Sequence, residues 1–276
     1  MDRIRLIASD MDATLLDEQS QLPADFEETI HALAELGIRF APASGRPLYT
    51  LEAMFPTLQD ELVFIGDNGG AIRWKGQNLF TSEMSPEGWR ALNRLTREQG
   101  DIAVLCGLES AYVERPFAVH DAVLRHFYTK IEYVDRLEEV TAPADEFTIY
   151  LPQHNAQQAY DTVYASQRSI YSVAVAGECW VDIMNPGVHK GAALQTLGQL
   201  WGLPSESIMA FGDTYNDAEM LRTAKYGFLM ENGSEPLRQK VPFLAPSHRE
   251  AGVMQVLHRV LAQNGCVCPE DFIPAH

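Results

Sequence analysis

The sequence is poor in basic residues and contains no long apolar segment. Its 276 residues include 21 Lys and Arg against 38 Asp and Glu, which gives a formal net charge of −17. Nucleic acids and anionic membranes bind clustered positive charge, so neither is an expected partner. No apolar run approaches the roughly 20 residues that span a bilayer, and the start of the chain shows no leader pattern. We therefore expect a cytoplasmic protein.

Cysteine is also scarce. The chain has four cysteines, Cys106, Cys179, Cys266 and Cys268, and only the last two are close in sequence. A single Cys-x-Cys pair is weak evidence for zinc, because a zinc site needs further ligands at matching spacing. The cysteines are predicted to be reduced thiols with a structural role.

What the sequence does contain is an alternation of apolar strands and amphipathic helices. A short apolar strand at 4–8 precedes a helix at 23–37, a second strand begins at 38, a helix covers about 48–54, and a third strand begins at 61. Alternation of this kind is typical of a parallel, doubly wound α/β sheet. With 46% hydrophobic residues, the chain is long enough for two domains.

The alternation of apolar strands and amphipathic helices stops near residue 83 and resumes near residue 186. Between these points the sequence predicts paired short strands and helices, an α+β insert at 83–186. Residues 1–82 and 187–276 would then form the α/β core. We find neither a linker nor an internal repeat, so these limits depend only on where the alternation of strands and helices stops and resumes.

Acidic, hydroxyl and basic side chains follow the predicted core strands or begin core helices. The carboxyl ends of parallel strands meet at one edge of the sheet, where ligands bind in open α/β folds. Alone, each residue has an ordinary alternative, such as a helix cap, a turn residue or a surface lysine. Together they predict one crevice that contains Asp10, Asp12, Ser44, Lys190, Asp213 and Asp217.

This set fits the hydrolysis of a phosphate monoester. Asp10 would attack phosphorus and form an aspartyl-phosphate. Asp12 would give its backbone carbonyl to a metal ion, while its side chain acts as general acid and base. Asp213 would add a carboxylate, and an all-oxygen ligand set favours Mg²⁺. Ser44 would offer its hydroxyl and neighbouring N–H groups at a helix N-terminus, and Lys190 a positive charge.

The same residues resemble the four motifs of the haloacid dehalogenase (HAD) superfamily of phosphatases, in the same order. The motifs are "DMDATLLD", "PASGRP", "NPGVHKGAAL" and "FGDTYNDAEML", and an insert between the second and third resembles the cap of the Cof-type subfamily. The resemblance implies a Rossmann-like core with an inserted α+β cap. It also implies that Asn216 contacts phosphate and that Asp217 binds the metal or orients the lysine.

Two positions depart from the family pattern. Ala13 stands where the family usually has glycine, so the chain there needs either a negative φ or strain. Tyr215 stands where glycine is frequent, and it would either crowd the metal site or point away.

The substrate is expected to be a small phosphorylated metabolite, such as a sugar phosphate. Gly45, Arg46 and Asn68, on core loops, are predicted to contact it. Candidates from the insert are Arg115, His120, Cys179 and Trp180. The alternatives are a phosphomutase of the same fold, a phospho-acceptor signalling domain and a regulator that binds a phosphorylated ligand without turnover.

Overall fold

The computed structural model describes residues 1–276, which form seventeen strands and nine helices. The strands are β1 (Asp2–Arg3), β2 (Leu6–Ser9), β3 (Arg39–Pro42), β4 (Val63–Gly66), β5 (Ala71–Trp74), β6 (Gln77–Thr81), β7 (Ile102–Gly107), β8 (Ala111–Glu114), β9 (Ile131–Val134), β10 (Ala144–Tyr150), β11 (Ser172–Ala176), β12 (Trp180–Met184), β13 (Ile208–Gly212), β14 (Tyr226–Met230), β15 (Phe243–Ala245), β16 (Cys266–Val267) and β17 (Ile273–Pro274). The helices are α1 (Phe26–Glu35), α2 (Leu48–Ala53), α3 (Pro86–Gln99), α4 (Asp121–Phe127), α5 (Ala156–Thr162), α6 (Lys190–Trp201), α7 (Ala218–Thr223), α8 (Glu235–Arg238) and α9 (Gly252–Ala262). None of the helices combines the length and apolar character needed to cross a bilayer.

The main sheet has six strands in the order β17, β15, β14, β13, β2, β3. Five of them are parallel, and β17 pairs antiparallel with β15 at one edge. The pairing of Ser9 with Phe211 and with Pro42 aligns the carboxyl ends of the three strands β2, β13 and β3. The predicted α/β fold with a mostly parallel sheet is confirmed.

Helices cover both faces of the main sheet because its strands are apolar on both sides. Ile7 packs in one core cluster with Phe26 of α1 and Leu257 of α9. Leu6, which points to the opposite face, packs in a second cluster with Leu194 of α6. Successive strand residues thus feed two cores, which is the pattern expected of a sheet buried on both faces.

The third predicted strand differs from the expectation. β4 joins the main sheet through one parallel bridge, between Ala43 and Ile65, and belongs to a separate antiparallel sheet with β5 and β6. The turn between β5 and β6 places Lys75 and Gly76 at positive φ. The sequence prediction missed these two strands, whose alternating pattern is short and interrupted by glycine and asparagine.

A second six-stranded sheet is built from the segment between β6 and α6, in the order β11, β12, β10, β7, β8, β9. Its pairs are antiparallel except β8 with β9. One face packs with α3 and α5, and the other carries a smaller cluster with Leu124 of α4 and Trp180. We call this the inserted sheet; the proposed limits at residues 83 and 186 stay a prediction.

Candidate active site

A cavity of about 630 Å³ lies at the carboxyl edge of the main sheet and faces the inserted sheet. Asp10 follows β2, Ser44 follows β3, and Asp213 follows β13, so three loops deliver their side chains to one place. Asn68 reaches the same cavity from the turn after β4. The predicted convergence of these loops is present in the structure.

Lys190 connects two of the predicted carboxylates. It is the first residue of α6 and is 1% exposed, so it is not a surface lysine. Its Nζ donates to Asp10 Oδ1 at 2.5 Å and to Asp217 Oδ1 at 2.7 Å. Burial opposes the charge of the ammonium group, but Asp10 and Asp217 outweigh burial and raise the pKa of Lys190. The lysine is therefore a fixed positive charge beside Asp10.

The carboxylates themselves are held at a cost in free energy. Burial, followed by the charge of Asp217, raises the pKa of Asp10 well above its ordinary value, although Lys190 counters the shift. Burial and Asp217 also raise the pKa of Asp213 to about 6. Crowded buried carboxylates of this kind are stabilised by a cation.

Carboxylate oxygens of Asp10, Asp213 and Asp217 lie within 4.8 Å of one another. The set contains oxygen donors only, which fits Mg²⁺ better than zinc. Asp217 Oδ1 accepts from Lys190, and its Oδ2 accepts from the backbone N–H groups of Asp213 and Thr214. These bonds orient the lysine and the loop. Both oxygens of Asp217 are therefore already hydrogen-bonded, and an oxygen that also bound a metal would serve both partners.

The side chain of Asp12 lies apart from this carboxylate group and lines the cavity. It is 53% exposed and accepts both ends of the Arg46 guanidinium, with Nη2 to Oδ1 at 3.0 Å and Nε to Oδ2 at 3.2 Å. The turn that carries Asp12 places Ala13 at φ 59°, so the strained alternative is the one observed. The Ala13 carbonyl accepts from Asn232 at 2.8 Å, which fixes the turn.

Arg46 also connects the inserted sheet with the main sheet and the helices and loops around it, which we call the main unit. Its Nη1 donates to the carbonyl of His126 at 2.9 Å, and the guanidinium lies 5.2 Å from the centre of the Phe127 ring. The residue is 8% exposed, so the ion pair with Asp12 is shielded on the arginine side. One side chain thus contacts both the proposed acid and the opposite wall of the cavity.

Ser44 is buried, but it does not lie at a helix N-terminus as predicted. α2 begins at Leu48 with Pro47 as its cap, and the Ser44 hydroxyl instead accepts the backbone N–H of Arg46 at 3.1 Å. The intervening Pro47 fixes its own φ and delays the helix. Gly45 lies against Asn68, because a Cβ there would come within 3.1 Å of the Asn68 amide nitrogen.

Asn68 and Asn216 line the same cavity from opposite loops. Asn216 Nδ2 donates to Asn68 Oδ1 at 3.5 Å, a long contact. Asn68 Nδ2 donates to Glu146 at 2.8 Å and to Asp182 at 2.9 Å, both on the inserted sheet. Asn68 is therefore a bridge between the two sheets as well as a wall residue.

The candidates from the insert divide into two groups. Cys179 and Trp180 line the cavity at the turn between β11 and β12. Arg115 does not; it bonds Asp135 and the Tyr133 carbonyl. His120 does not line the cavity either, and its ring packs against Tyr150.

Tyr215, on the loop after β13, is 55% exposed and lies outside this cavity, so it points away from the candidate metal site.

The sequence prediction missed several wall residues on the inserted sheet and α4. Their positions depend on how the two sheets face one another, which no local pattern encodes. In the fold the rings of Phe127 and Trp180 lie 5.0 Å apart, a proximity that their separation in sequence does not reveal. The missed residues of this wall are His126, Phe127, Tyr128, His154, Glu178 and Asp182; Thr214, on the loop after β13, was also missed.

Comparisons with known proteins agree with this geometry. A model of the haloacid dehalogenase-like hydrolase family matches residues 7–257. A 5-amino-6-(5-phospho-D-ribitylamino)uracil phosphatase of Escherichia coli is 32% identical, over 94% of this chain and 96% of that protein. An HMP-PP phosphatase of Cronobacter sakazakii is 30% identical, over 87% and 89%. A crystal structure from Streptococcus mutans has a TM-score of 0.86 at 28% identity, covering 94% of this chain and 99% of that one.

Proposed function

The chain belongs to the family of haloacid dehalogenase-like hydrolases and is a phosphatase, and from this premise we propose that it is Mg²⁺-dependent and acts through an aspartyl-phosphate at Asp10. The observation that carries the proposal is the pairing of two different carboxylates in one cavity. Asp10 is buried and bound by Lys190, whereas Asp12 is exposed to the cavity and bound by Arg46. Two environments support two roles.

Asp10 has the features of a nucleophile. Lys190 binds Oδ1 and holds the carboxylate in one orientation, which leaves Oδ2 for attack on phosphorus. The bond from Oδ2 to phosphorus forms as the bond from phosphorus to the leaving alcohol oxygen breaks. Asp10, Asp213 and Asp217 would hold Mg²⁺, whose charge would offset repulsion between the carboxylates and the phosphate.

Asp12 has the features of a general acid and base. Its side chain lies in the open part of the cavity, two residues after the nucleophile, and it is bound by an arginine of the cavity wall rather than by the lysine that binds Asp10. In the first step it would give a proton to the leaving alcohol oxygen. In the second it would take a proton from the water that attacks the aspartyl-phosphate.

Ser44 and Asn216 would contact the phosphoryl oxygens; the support is that both line the same cavity as Asp10. Gly45 belongs to the same loop and lets Asn68 approach closely. Arg46 would contact substrate after exchanging one carboxylate oxygen of Asp12 for a phosphate oxygen. These contacts are common to every substrate and would set affinity rather than preference.

The opposite wall supports a sugar or sugar alcohol phosphate as substrate, with room for an attached polar ring. Phe127 and Trp180 offer aromatic faces, and Asp182 and Glu178 offer hydrogen-bond acceptors. The Escherichia coli relative is named for a substrate that joins a phosphorylated sugar alcohol to a pyrimidine. This wall would act as a cap that contacts the leaving group and so determines which substrates bind.

A panel of phosphorylated sugars, sugar alcohols and nucleotide precursors tests the proposal by measuring release of inorganic phosphate. We expect turnover with Mg²⁺, loss of turnover in excess chelator, and recovery by Mg²⁺ better than by Zn²⁺. Full activity in chelator would contradict the metal assignment. An isomeric phosphate as product would identify a mutase, and ligand binding without turnover would identify a regulator; both would contradict the proposal.

A further inference from the structure

A second group of buried acids lies between the main unit and the inserted sheet, away from Asp10. Asp67 is in the turn after β4, and Asp145 and Glu146 are neighbours on β10. All three are at most 1% exposed. Asp145 is the extra residue of a β-bulge, because Ala144 pairs with Gly107 and Glu146 pairs with the adjacent Cys106. The bulge turns two consecutive acidic side chains into the interior.

Two of the three acids lack well-formed hydrogen bonds, whereas Glu146 accepts one from Asn68. Both carboxylate oxygens of Asp67 and both of Asp145 are buried without a hydrogen bond of good geometry; the backbone of Leu48 approaches Asp67, and the two carboxyl groups lie close to each other. The buried hydroxyl of Tyr49 likewise has no hydrogen bond of good geometry, and only the backbone of Ala111 approaches it. Burial raises the pKa of Tyr49, as do the nearby Cys106, Asp67 and Asp145, so the hydroxyl faces the same group. Buried polar atoms without partners are rare in folded proteins because each costs free energy.

No basic side chain neutralises these acids. Asp67, Asp145 and Glu146 take part in no ion pair. The nearest arginine, Arg73, uses its guanidinium for Glu52 at 3.0 Å and Glu109 at 2.8 Å. Lys190 is committed to Asp10 and Asp217. A cation from outside the chain would meet a site that is short of positive charge.

Cys106 adds a sulfur ligand to this group. The thiol lies on β7 opposite Glu146, is fully buried and donates weakly to the Tyr128 hydroxyl at 3.8 Å. Ligand atoms of Asp67, Cys106 and Glu146 all lie within 4.8 Å of one another. A tetrahedral zinc ion, with bonds of about 2.0 Å to oxygen and 2.3 Å to sulfur, places two oxygens and one sulfur about 3.3–3.5 Å apart. Small side-chain movements would bring the three ligand atoms, which now lie within 4.8 Å of one another, to the distances that zinc requires.

We propose that Asp67, Cys106 and Glu146 form a buried Zn²⁺ site that joins the main unit to the inserted sheet. Asp67 comes from the former, and Cys106 and Glu146 come from the latter. Thiolate and carboxylate ligands together select zinc over magnesium. Binding releases the thiol proton to solvent, because the thiolate is the ligand. Tyr49 and Asp145 surround the ion and supply further oxygens.

Zinc content of the purified protein, folded with zinc present and dialysed against Mg²⁺, tests the site. We expect about one zinc per chain in the wild type and in Asp213→Asn, which removes a carboxylate of the catalytic group. We expect at least a tenfold lower content in Asp67→Asn and Cys106→Ser, whereas Cys266→Ser, a change at a thiol outside the group, keeps its zinc.

Cobalt provides a readout that does not depend on how well the acidic variants fold. In the wild type, Co²⁺ should give a near-ultraviolet thiolate charge-transfer band that is retained in Cys266→Ser and absent in Cys106→Ser. A wild-type protein that takes up no zinc and shows no such band would overturn the proposal, and the acids would then share protons. Loss of all zinc in Asp213→Asn would also overturn it, since the ion would belong to the catalytic group.

Discussion

At the scale of single residues, Ala13 is one of two alanines, with Ala251, whose backbone lies in the left-handed region, and it is the one inside the candidate active site. Its φ of 59° lies in the left-handed region, which costs an alanine roughly 1 kcal/mol relative to glycine. Ala13→Gly is therefore expected to raise the free energy of unfolding by about 0.5–1 kcal/mol. Denaturant unfolding measures it, with Ala32→Gly in the interior of α1 as a control that should destabilise the protein. A destabilised Ala13→Gly would show that the turn gains more from the methyl group than it loses.

Arg46 is the residue whose contacts join the acid to the opposite wall. Arg46→Lys keeps the charge but loses the bidentate contact with Asp12 and the bond to the His126 carbonyl. We expect kcat/KM to fall roughly 10- to 100-fold, with effects on both kcat and KM. Arg39→Lys, which alters an arginine stacked on Trp201, is the matched control and should remain near wild type. Arg46→Lys within twofold of wild type would show that its position is unimportant.

The positions of the proposed catalytic aspartates, the lysine and the amides of the cavity were predictable because each follows a strand or begins a helix of the main unit. Ser44 was placed correctly in the cavity but not at a helix N-terminus, since Pro47 postpones α2. Asp145 and Glu146 were not found at all. Nothing local distinguishes them from surface acids of a strand, and only the bulge in β10 buries both.

At the scale of elements, the turn between β11 and β12 is expected to control substrate preference. Trp180 presents its ring to the cavity beside Phe127. Trp180→Leu should raise KM roughly 10-fold or more for phosphate esters that carry a ring, because stacking is lost. It should change KM less than about twofold for small linear esters such as glycerol phosphate. The measurement is the ratio of kcat/KM values between the two kinds of ester.

Trp74→Leu is the matched control for this prediction. Trp74 packs against Trp201 away from the cavity, so its removal should affect both kinds of ester equally. Equal changes in Trp180→Leu would show that the turn supports folding and not recognition.

Sequence periodicity located four of the five parallel strands of the main sheet, all except β15, and most helices, because a sheet buried on both faces requires continuous apolar runs. It did not locate the antiparallel sheet of β4, β5 and β6. β4 reads as another buried strand, and its single bridge to β3 at Ala43 cannot be inferred from its own residues.

At the scale of the whole molecule, the bridge through Asn68 couples the arrangement of the two sheets to pH. Burial raises the pKa of Asp182 to about 6, although hydrogen bonds from Asn68 and Thr148 counter the shift. The carboxyl therefore binds its proton more tightly in the folded protein than in the unfolded chain. Its contribution to stability is present below the unfolded pKa near 4 and is lost as the pH rises through about 6.

Asp182→Asn is expected to remove this contribution. Relative to wild type, the variant should gain on the order of 1–3 kcal/mol in free energy of unfolding when the pH is raised from 4 to 8. Denaturant unfolding at both values, in chelator, measures the difference. Asp60→Asn, at an exposed position without an ion pair, should show no such change. A pH dependence in Asp182→Asn equal to that of wild type would contradict the account.

How the inserted sheet faces the main sheet could not be predicted from the sequence. The contacts that set it join residues far apart in the chain, such as Asn68 with Asp182 and Arg46 with His126. Each contact uses a polar side chain of a type that is also common at exposed positions, so the sequence alone does not identify it as an interface residue. The resemblance to a known family supplied the architecture, while the residues of the interface required the structure.

The central claim is that Asp10 carries the phosphoryl group. Acid quenching during turnover, followed by borohydride reduction, converts an aspartyl-phosphate into homoserine, which peptide mass spectrometry locates. We expect homoserine at position 10 in the wild type. With a substrate whose leaving group needs no proton, such as p-nitrophenyl phosphate, we expect more of it in Asp12→Asn, because only hydrolysis of the intermediate is then slowed. Asp10→Asn should show neither homoserine nor turnover. Turnover by Asp10→Asn, or homoserine at another aspartate of the wild type, would contradict the account.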